Sequence, residues 1–216
     1  MSITISSLSK RQSAPIRKEG TDDVNKEESS LIYQMISFLL RYPESHIIST
    51  FSELENEIEA LENDDIKAKL KSFITESSYL PLDDLVNHYI SLFDFGRLTN
   101  LYVTYLKLGE QRERGLELLK LKKFYEAAGF DLTDEELPDY LPLMLEFCAN
   151  VSIEKSNELL KQHTKELEFI RQKLNENKSQ YAYLFDVLFL NMENNGCVFE
   201  LENGLEVTSK VKGEKV

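Results

Sequence analysis

PLDDLVNHYISLFDFGRLTNLYVTYLKLGEQRERG, Pro81 to Gly115, is the stretch whose reading decides the fold. Pro81 suits a first helical turn, where its missing N–H costs nothing. Asp83 and Asp84 set negative charge at the positive end of the helix dipole. Leu85, Val86, Tyr89, Leu92 and Phe93 recur at steps of three and four and share one face. Asp94-Phe95-Gly96-Arg97 interrupts that face. A second apolar run, Leu98 to Leu108, predicts another helix, closed by Gly109 and the charged residues Glu110 to Arg114. Two packed helices joined by a turn follow from periodicity alone. The order of residue types, Tyr-x-x-Leu-Phe-Asp, Gly-Arg, Gly-Glu and Arg-x-Arg-Gly, carries more than periodicity.

The pattern continues on both sides. Residues 1–29 are serine-rich and then charged, and predict a flexible tail. Ser29 or Ser30 could cap a helix whose stripe is Leu31, Met35, Phe38 and Leu39, ending at Tyr42 before Pro43. Ile47, Phe51, Leu54, Ile58 and Leu61 predict one helix over 46–61. Ile66, Leu70, Phe73 and Ile74 mark a shorter one. Glu117 to Ala128 reads as a helix with Leu118, Leu119, Leu121 and Tyr125 inward and Gly129 as a left-handed stop. Thr133-Asp134-Glu135-Glu136 fits a capping box. Pro138 and Pro142 cannot both lie inside a regular helix, so Asp139 is expected as an N-cap, with Pro142 in the first turn. Ser152 opens a long helix to about Asn177, and Tyr181 to Met192 forms the last one. Weak strand alternation occurs around Cys197–Val207, and residues 194–216 predict a second flexible tail. The fold class is all-α, a single-domain helical bundle over 30–193.

Composition narrows the function. The chain has 216 residues, 42% of them hydrophobic, enough for one well-filled core. Its formal net charge of -13 argues against nucleic acid and anionic membrane as main partners and suits a basic protein or peptide. The 2 cysteines, Cys148 and Cys197, lie far apart with no Cys/His cluster, so no zinc site and no disulfide framework are suggested. No run is long and apolar enough to span a bilayer. The N-terminus lacks the apolar segment of a secretory signal, and its composition leaves an organelle transit peptide open. The P-loop, dinucleotide and nucleophile-elbow motifs are absent. No glutamate stands three residues before a histidine, as a di-iron bundle requires. Asp84 and His88 share a helix face but form only a lone pair. No cofactor is expected.

What the residues do offer is a binding surface. Tyr89, Phe93, Tyr102 and Tyr105 bring aromatic area with polar tips. Asp94, Glu110, Glu136, Asp139 and Glu146 bring negative charge near prolines and turns. Such a groove could hold an amphipathic segment by its apolar face and take its arginines on an acidic rim. The same residues also suit core aromatics, caps and solvated faces.

Several segments, in matching order from Leu31 to Met192, resemble the NarJ family of nitrate reductase assembly chaperones, within the TorD/DmsD-like group. They are Arg41-Tyr-Pro43, Tyr89-Ile-Ser-Leu-Phe-Asp-Phe-Gly-Arg97, Gly109-Glu-Gln-Arg-Glu-Arg-Gly115, Tyr125-Glu-Ala-Ala-Gly-Phe130, Glu136-Leu-Pro-Asp-Tyr-Leu-Pro-Leu-Met-Leu-Glu-Phe147 and Gln180-Tyr-Ala-Tyr-Leu-Phe-Asp-Val-Leu188. The resemblance implies a TorD-type all-α cytoplasmic chaperone without catalytic activity. Its partner would be the catalytic (alpha) subunit of respiratory nitrate reductase, bound through its N-terminal peptide until the molybdenum cofactor is inserted and the complex docks at the membrane. By that analogy Tyr89, Leu92, Phe93 and Asp94, with Pro138, Asp139, Tyr140, Leu141, Pro142 and Glu146, line the client site. Tyr89 and Phe93 would supply anchor area, and Asp139 and Glu146 would attract client Arg or Lys. Two departures stand out. Thr104 to Leu108 replaces a stretch in which NarJ-like sequences carry Glu and His, and Tyr140 stands where a histidine often follows the Pro-Asp pair. A general helical adaptor for a different basic partner is the alternative from another class, and an enzyme working with carboxylates alone is a third.

Overall fold

The computed structural model describes residues 8–10, 22–96, 98–109, 111–133 and 135–198. Among the described residues there are eleven α-helices and a two-stranded ribbon. In order they are β1 (Leu8–Lys10), α1 (Asp22–Leu39), α2 (Ser45–Ser49), α3 (Phe51–Glu59), α4 (Asp64–Ser78), α5 (Leu82–Tyr89), α6 (Val103–Leu108), α7 (Arg112–Ala127), β2 (Phe130–Leu132), α8 (Leu141–Cys148), α9 (Ile153–Lys161), α10 (Thr164–Glu176) and α11 (Tyr181–Asn194). A π-helical turn, Ile90–Asp94, continues α5. The all-α expectation holds.

Two helices sit at the centre because their sequences leave them no polar face. All of α8, LPLMLEFC, is buried, and α11 buries most of YAYLFDVLFLNMEN. A helix apolar on every side is stable only when surrounded. Here α1 lies across both, α4 and α10 flank α11, and α9 follows α8. One continuous apolar cluster runs from Ile32 through Phe73, Phe93 and Phe147 to Met192.

The first helix begins at Asp22, seven residues before the predicted Ser29 cap, because its N-terminal half is tied to α11. The Asn195 amide donates to the Ser29 hydroxyl at 2.7 Å and the Asn191 amide to the Ser29 carbonyl at 3.3 Å. Ser30 Oγ donates to the Ala149 carbonyl at 2.5 Å. The rest of the expected tail, apart from β1, lies outside the described residues, as do residues 199–216 and most of the weak strand pattern at Cys197–Val207.

The helix predicted over 46–61 is two, parted at Thr50, with Ile47, Phe51, Leu54 and Ile58 all inward as expected. The long helix after Ser152 also divides, at Gln162-His163, while Ser152 does cap it by accepting from the Lys155 N–H. Gly129, at φ +87°, provides the left-handed stop after α7. Leu119 points outward, so the inner side of α7 is narrower than its leucines suggest.

Two larger corrections concern the segments around the predicted site. The run Leu98–Leu108 becomes helical only at Val103. Before it, the Asn100 side chain accepts from the Tyr102 N–H at 2.7 Å, and the backbone pairs with a distant segment. The Val103 N–H donates to the Asp139 carbonyl at 2.9 Å and the Leu141 N–H to the Leu101 carbonyl at 2.8 Å, forming an antiparallel bridge between Tyr102 and Tyr140. Likewise no helix follows Thr133-Glu136. The Glu136 carboxylate accepts from the Tyr102 hydroxyl at 2.8 Å instead of reaching back to a cap.

Candidate functional site

The site is assembled where the end of α1, the π turn and the 136–140 segment converge on Tyr140. The Tyr102 and Tyr140 rings lie 5.2 Å apart across the backbone bridge. The Tyr140 hydroxyl meets that of Tyr89 and lies in the fields of Glu136, Arg41 and Asp94. Burial, above all, raises its pKa, with Glu136 and Asp94 adding to the rise and Tyr89 and Arg41 opposing it. The phenol therefore stays protonated at neutral pH, and because Tyr89 gives its one proton to the Leu40 carbonyl, the Tyr140 proton is the one shared with Tyr89.

The predicted residues divide into a surface and its support. Asp94 is exposed, and Pro138 and Tyr140 are half-buried. Tyr89 and Phe93, expected as anchors, and Leu92, expected to line the site, are buried. Tyr89 stacks edge-on with Phe93 at 4.8 Å and Tyr181 at 5.9 Å, and donates its hydroxyl to the Leu40 carbonyl at 3.0 Å. Phe93 meets Tyr181 at 5.1 Å, and Phe73 completes the aromatic cluster. Leu141 and Pro142 are buried in the first turn of α8. Spacing could not separate these residues from a groove, because core and binding faces of a helix share one period.

Asp139 is the clearest correction. It neither caps α8 nor faces solvent; its exposure is 0%. The cap position belongs to Tyr140. Asp139 Oδ2 accepts from the Thr104 hydroxyl at 2.5 Å and from Arg114 Nη2 at 3.1 Å. The Arg114 guanidinium also lies 5.4 Å from the centre of the Tyr105 ring. The acid therefore already has its arginine within the chain, and the pair clamps α6 and α7 against the loop before α8. Tyr105 and Arg114 serve that clamp.

Glu146, 8% exposed, stands beneath the surface on α8. Its Oε2 lies 4.0 Å from Arg41 Nη2 and has no hydrogen bond. Burial lifts its carboxyl to about 7, against the smaller opposing pull of Arg41.

The structure adds residues that periodicity missed. Tyr42, 42% exposed, stacks edge-on against Tyr89 at 5.6 Å. Phe95, 80% exposed, follows Asp94 directly at the end of the π turn, and Leu98 and Leu137 are also open. The signal for Phe95 was its angle: although three residues after Leu92, it falls roughly 120° round the helix from the centre of the face formed by Leu85 to Phe93. The Phe95 N–H reaches the Ile90 carbonyl at 3.0 Å, the wide turn that rotates it outward. Such single π turns recur at functional sites. Beside this surface, Tyr102, Lys122, Leu132, Thr133, Glu136 and Pro138 edge a cleft of about 260 Å³. The arrangement is aromatic with an acidic rim, which suits an apolar and basic segment of another protein.

Among the described residues no His, Cys, Asp or Glu group could hold a metal ion, and no helix is long and apolar enough to cross a membrane. His88 bonds the Ser179 hydroxyl at 2.9 Å and burial lowers its pKa, so it is a packed structural histidine.

Residues 57–186 match the model of the nitrate reductase delta subunit family. The chain is 40% identical over 184 residues to the probable nitrate reductase molybdenum cofactor assembly chaperone NarJ of Bacillus subtilis, covering 85% of this chain and 100% of that protein. It is 34% identical over 157 residues to the nitrate reductase molybdenum cofactor assembly chaperone NarJ of Escherichia coli K12, covering 71% of this chain and 66% of that one. A shorter match, 32% over 130 residues, reaches the nitrate reductase-like protein NarX of Mycobacterium tuberculosis, spanning 60% of this chain and 19% of that protein. With the family model spanning most of the chain, and a relative covered from end to end, this all-α protein belongs to the nitrate reductase delta subunit family.

Proposed function

We propose that the chain is an assembly chaperone for the catalytic subunit of a respiratory nitrate reductase. It grips an extended apolar and basic segment, the subunit's N-terminal peptide, and holds the subunit while the molybdenum cofactor is inserted, before membrane docking. The work is done in the cytoplasm and includes no bond-making step. Family membership supports the client, and the exposed Phe95 carries the choice of surface. Phe95 is joined in the open by Tyr42, Leu98 and Leu137, and exposed apolar surface with a polar rim marks an interaction site. On this reading Phe95 and Tyr42 are the apolar anchors. Asp94 and Glu136 receive the client's arginines or lysines, and the half-buried Tyr140 ring adds aromatic area beside them. Tyr89, Leu92, Phe93, Leu141 and Pro142 act from behind, fixing where the surface residues stand. Asp139 and Glu146 do the same through Arg114 and Arg41.

Two measurements test this. Loss of the gene should leave nitrate reductase depleted of molybdenum by metal analysis; a fully metallated, active enzyme in the deletion strain refutes the assembly role. Phe95→Ala should weaken capture of the purified, cofactor-free catalytic subunit by about 2 kcal/mol. Its urea midpoint should stay within about 0.5 kcal/mol of wild type, because the ring packs on little. Unchanged capture would move the client elsewhere on the molecule.

A further inference from the structure

β1 and β2 form an antiparallel ribbon in which Leu8 opposes Leu132, Ser9 opposes Asp131 and Lys10 opposes Phe130. β2 is anchored from within: Phe130 is buried and meets Phe147 of α8 at 5.3 Å. Its far end opens onto the candidate site, since Leu132 and Thr133 edge the cleft shared with Tyr102 and Glu136. Whatever pairs with β2 therefore lies alongside the proposed client surface. β1 also packs against α8.

The occupant now in place has a distinctive chemistry. Residues 8–18 read LSKRQSAPIRK, with Lys10, Arg11, Arg17 and Lys18 and no acid, in a chain of net charge -13. That is the chemistry proposed for the client. The ladder is only three residues long, and a short two-stranded ribbon is marginal in water. Extended peptides commonly bind by adding a strand to such an edge, taking affinity from main-chain hydrogen bonds and selectivity from flanking side chains.

We propose that the edge of β2 is a strand-accepting site for an extended basic segment of the client, and that Leu8–Lys10 is the chain's own resident strand, displaced when the client binds. The claim rests on the chaperone reading above. Displacement sets a threshold: a segment must pair with β2 better than the tethered strand does, so weak or partly occluded segments are rejected. The resident strand also covers an edge that would otherwise recruit unrelated chains.

The test uses the full chain. Directly opposed residues in an antiparallel pair lie within disulfide reach, so L8C/L132C should lock β1 in place on oxidation. The native thiols Cys148 and Cys197 are buried and stay out of the exchange. The probe is the purified, cofactor-free nitrate reductase catalytic subunit. The oxidised lock should bind it on the order of tenfold more weakly than the same protein after reduction. Ser9→Pro, which puts a proline in the middle of a three-residue strand, should weaken its pairing, tighten client binding several-fold and speed hydrogen exchange at the amides of residues 130–132. Equal binding by the locked and reduced forms, with wild type still binding, overturns strand displacement and leaves the chaperone reading standing. Unchanged exchange in Ser9→Pro overturns it too. If no form captures the subunit, the chaperone reading fails and this claim fails with it.

Discussion

Glu146 shows how a single residue couples burial to pH. Its carboxyl has a pKa of about 7 in the folded protein against 4.5 ordinarily. The folded state thus holds this proton more tightly than the unfolded chain. The group costs nothing below about pH 4, and its burial becomes increasingly unfavourable as the pH rises through 7, by on the order of 2–3 kcal/mol. Glu146→Gln should therefore gain stability over wild type between pH 5 and pH 8, read from urea midpoints. A gap that stays constant across that range would show that the carboxylate is compensated after all. Asp139 is the opposite case, a buried acid that is fully partnered. Asp139→Ala strands Arg114 and the Thr104 hydroxyl, so denaturation should show a loss of about 3–5 kcal/mol. A drop under about 1 kcal/mol would mean that the clamp relaxes without cost. A proline-flanked aspartate reads from sequence as a cap; only the distant Arg114 makes it a clamp.

At the scale of elements, the π turn determines how the site is presented. Gly96 ends it, and a Cβ there would overlap the Leu92 carbonyl oxygen, which also accepts from the Thr99 hydroxyl. That oxygen is backbone and cannot step aside cheaply. Gly96→Ala should cost about 1–3 kcal/mol of stability and weaken client capture with it, because Phe95 is re-aimed. Full retention of both would show that the turn is not what holds Phe95 out. The helices whose sequences carry a clear stripe, α3 and α4 among them, were legible because one buried face leaves a period in the chain. The segments at 98–102 and 133–140 were not. Their backbones pair with each other across the bridge between Tyr102 and Tyr140, a contact that no local pattern announces.

For the whole molecule, acidity and shape act together. A net charge of -13 should steer a basic client segment and raise its association rate at low salt. Stopped-flow binding of the catalytic subunit should slow about tenfold or more between 50 mM and 500 mM salt, with dissociation changing less. A flat salt dependence would assign recognition to apolar contact alone. The sequence by itself determined the helical class, the acidic character, most of the core and the family likeness, because these depend on composition and on periods within one segment. It also brought Tyr89, Asp94, Pro138 and Tyr140 forward as neighbours-to-be. Only the tertiary structure decided which residues face water: Asp94 outward, together with Phe95 and Tyr42, which the sequence had not singled out, and Tyr89, Phe93 and Asp139 inward. The physical reason is that exposure is set by what packs against a face from elsewhere in the chain, and Tyr181, Leu40 and Arg114, which cover those residues, lie far from them in sequence or across a turn.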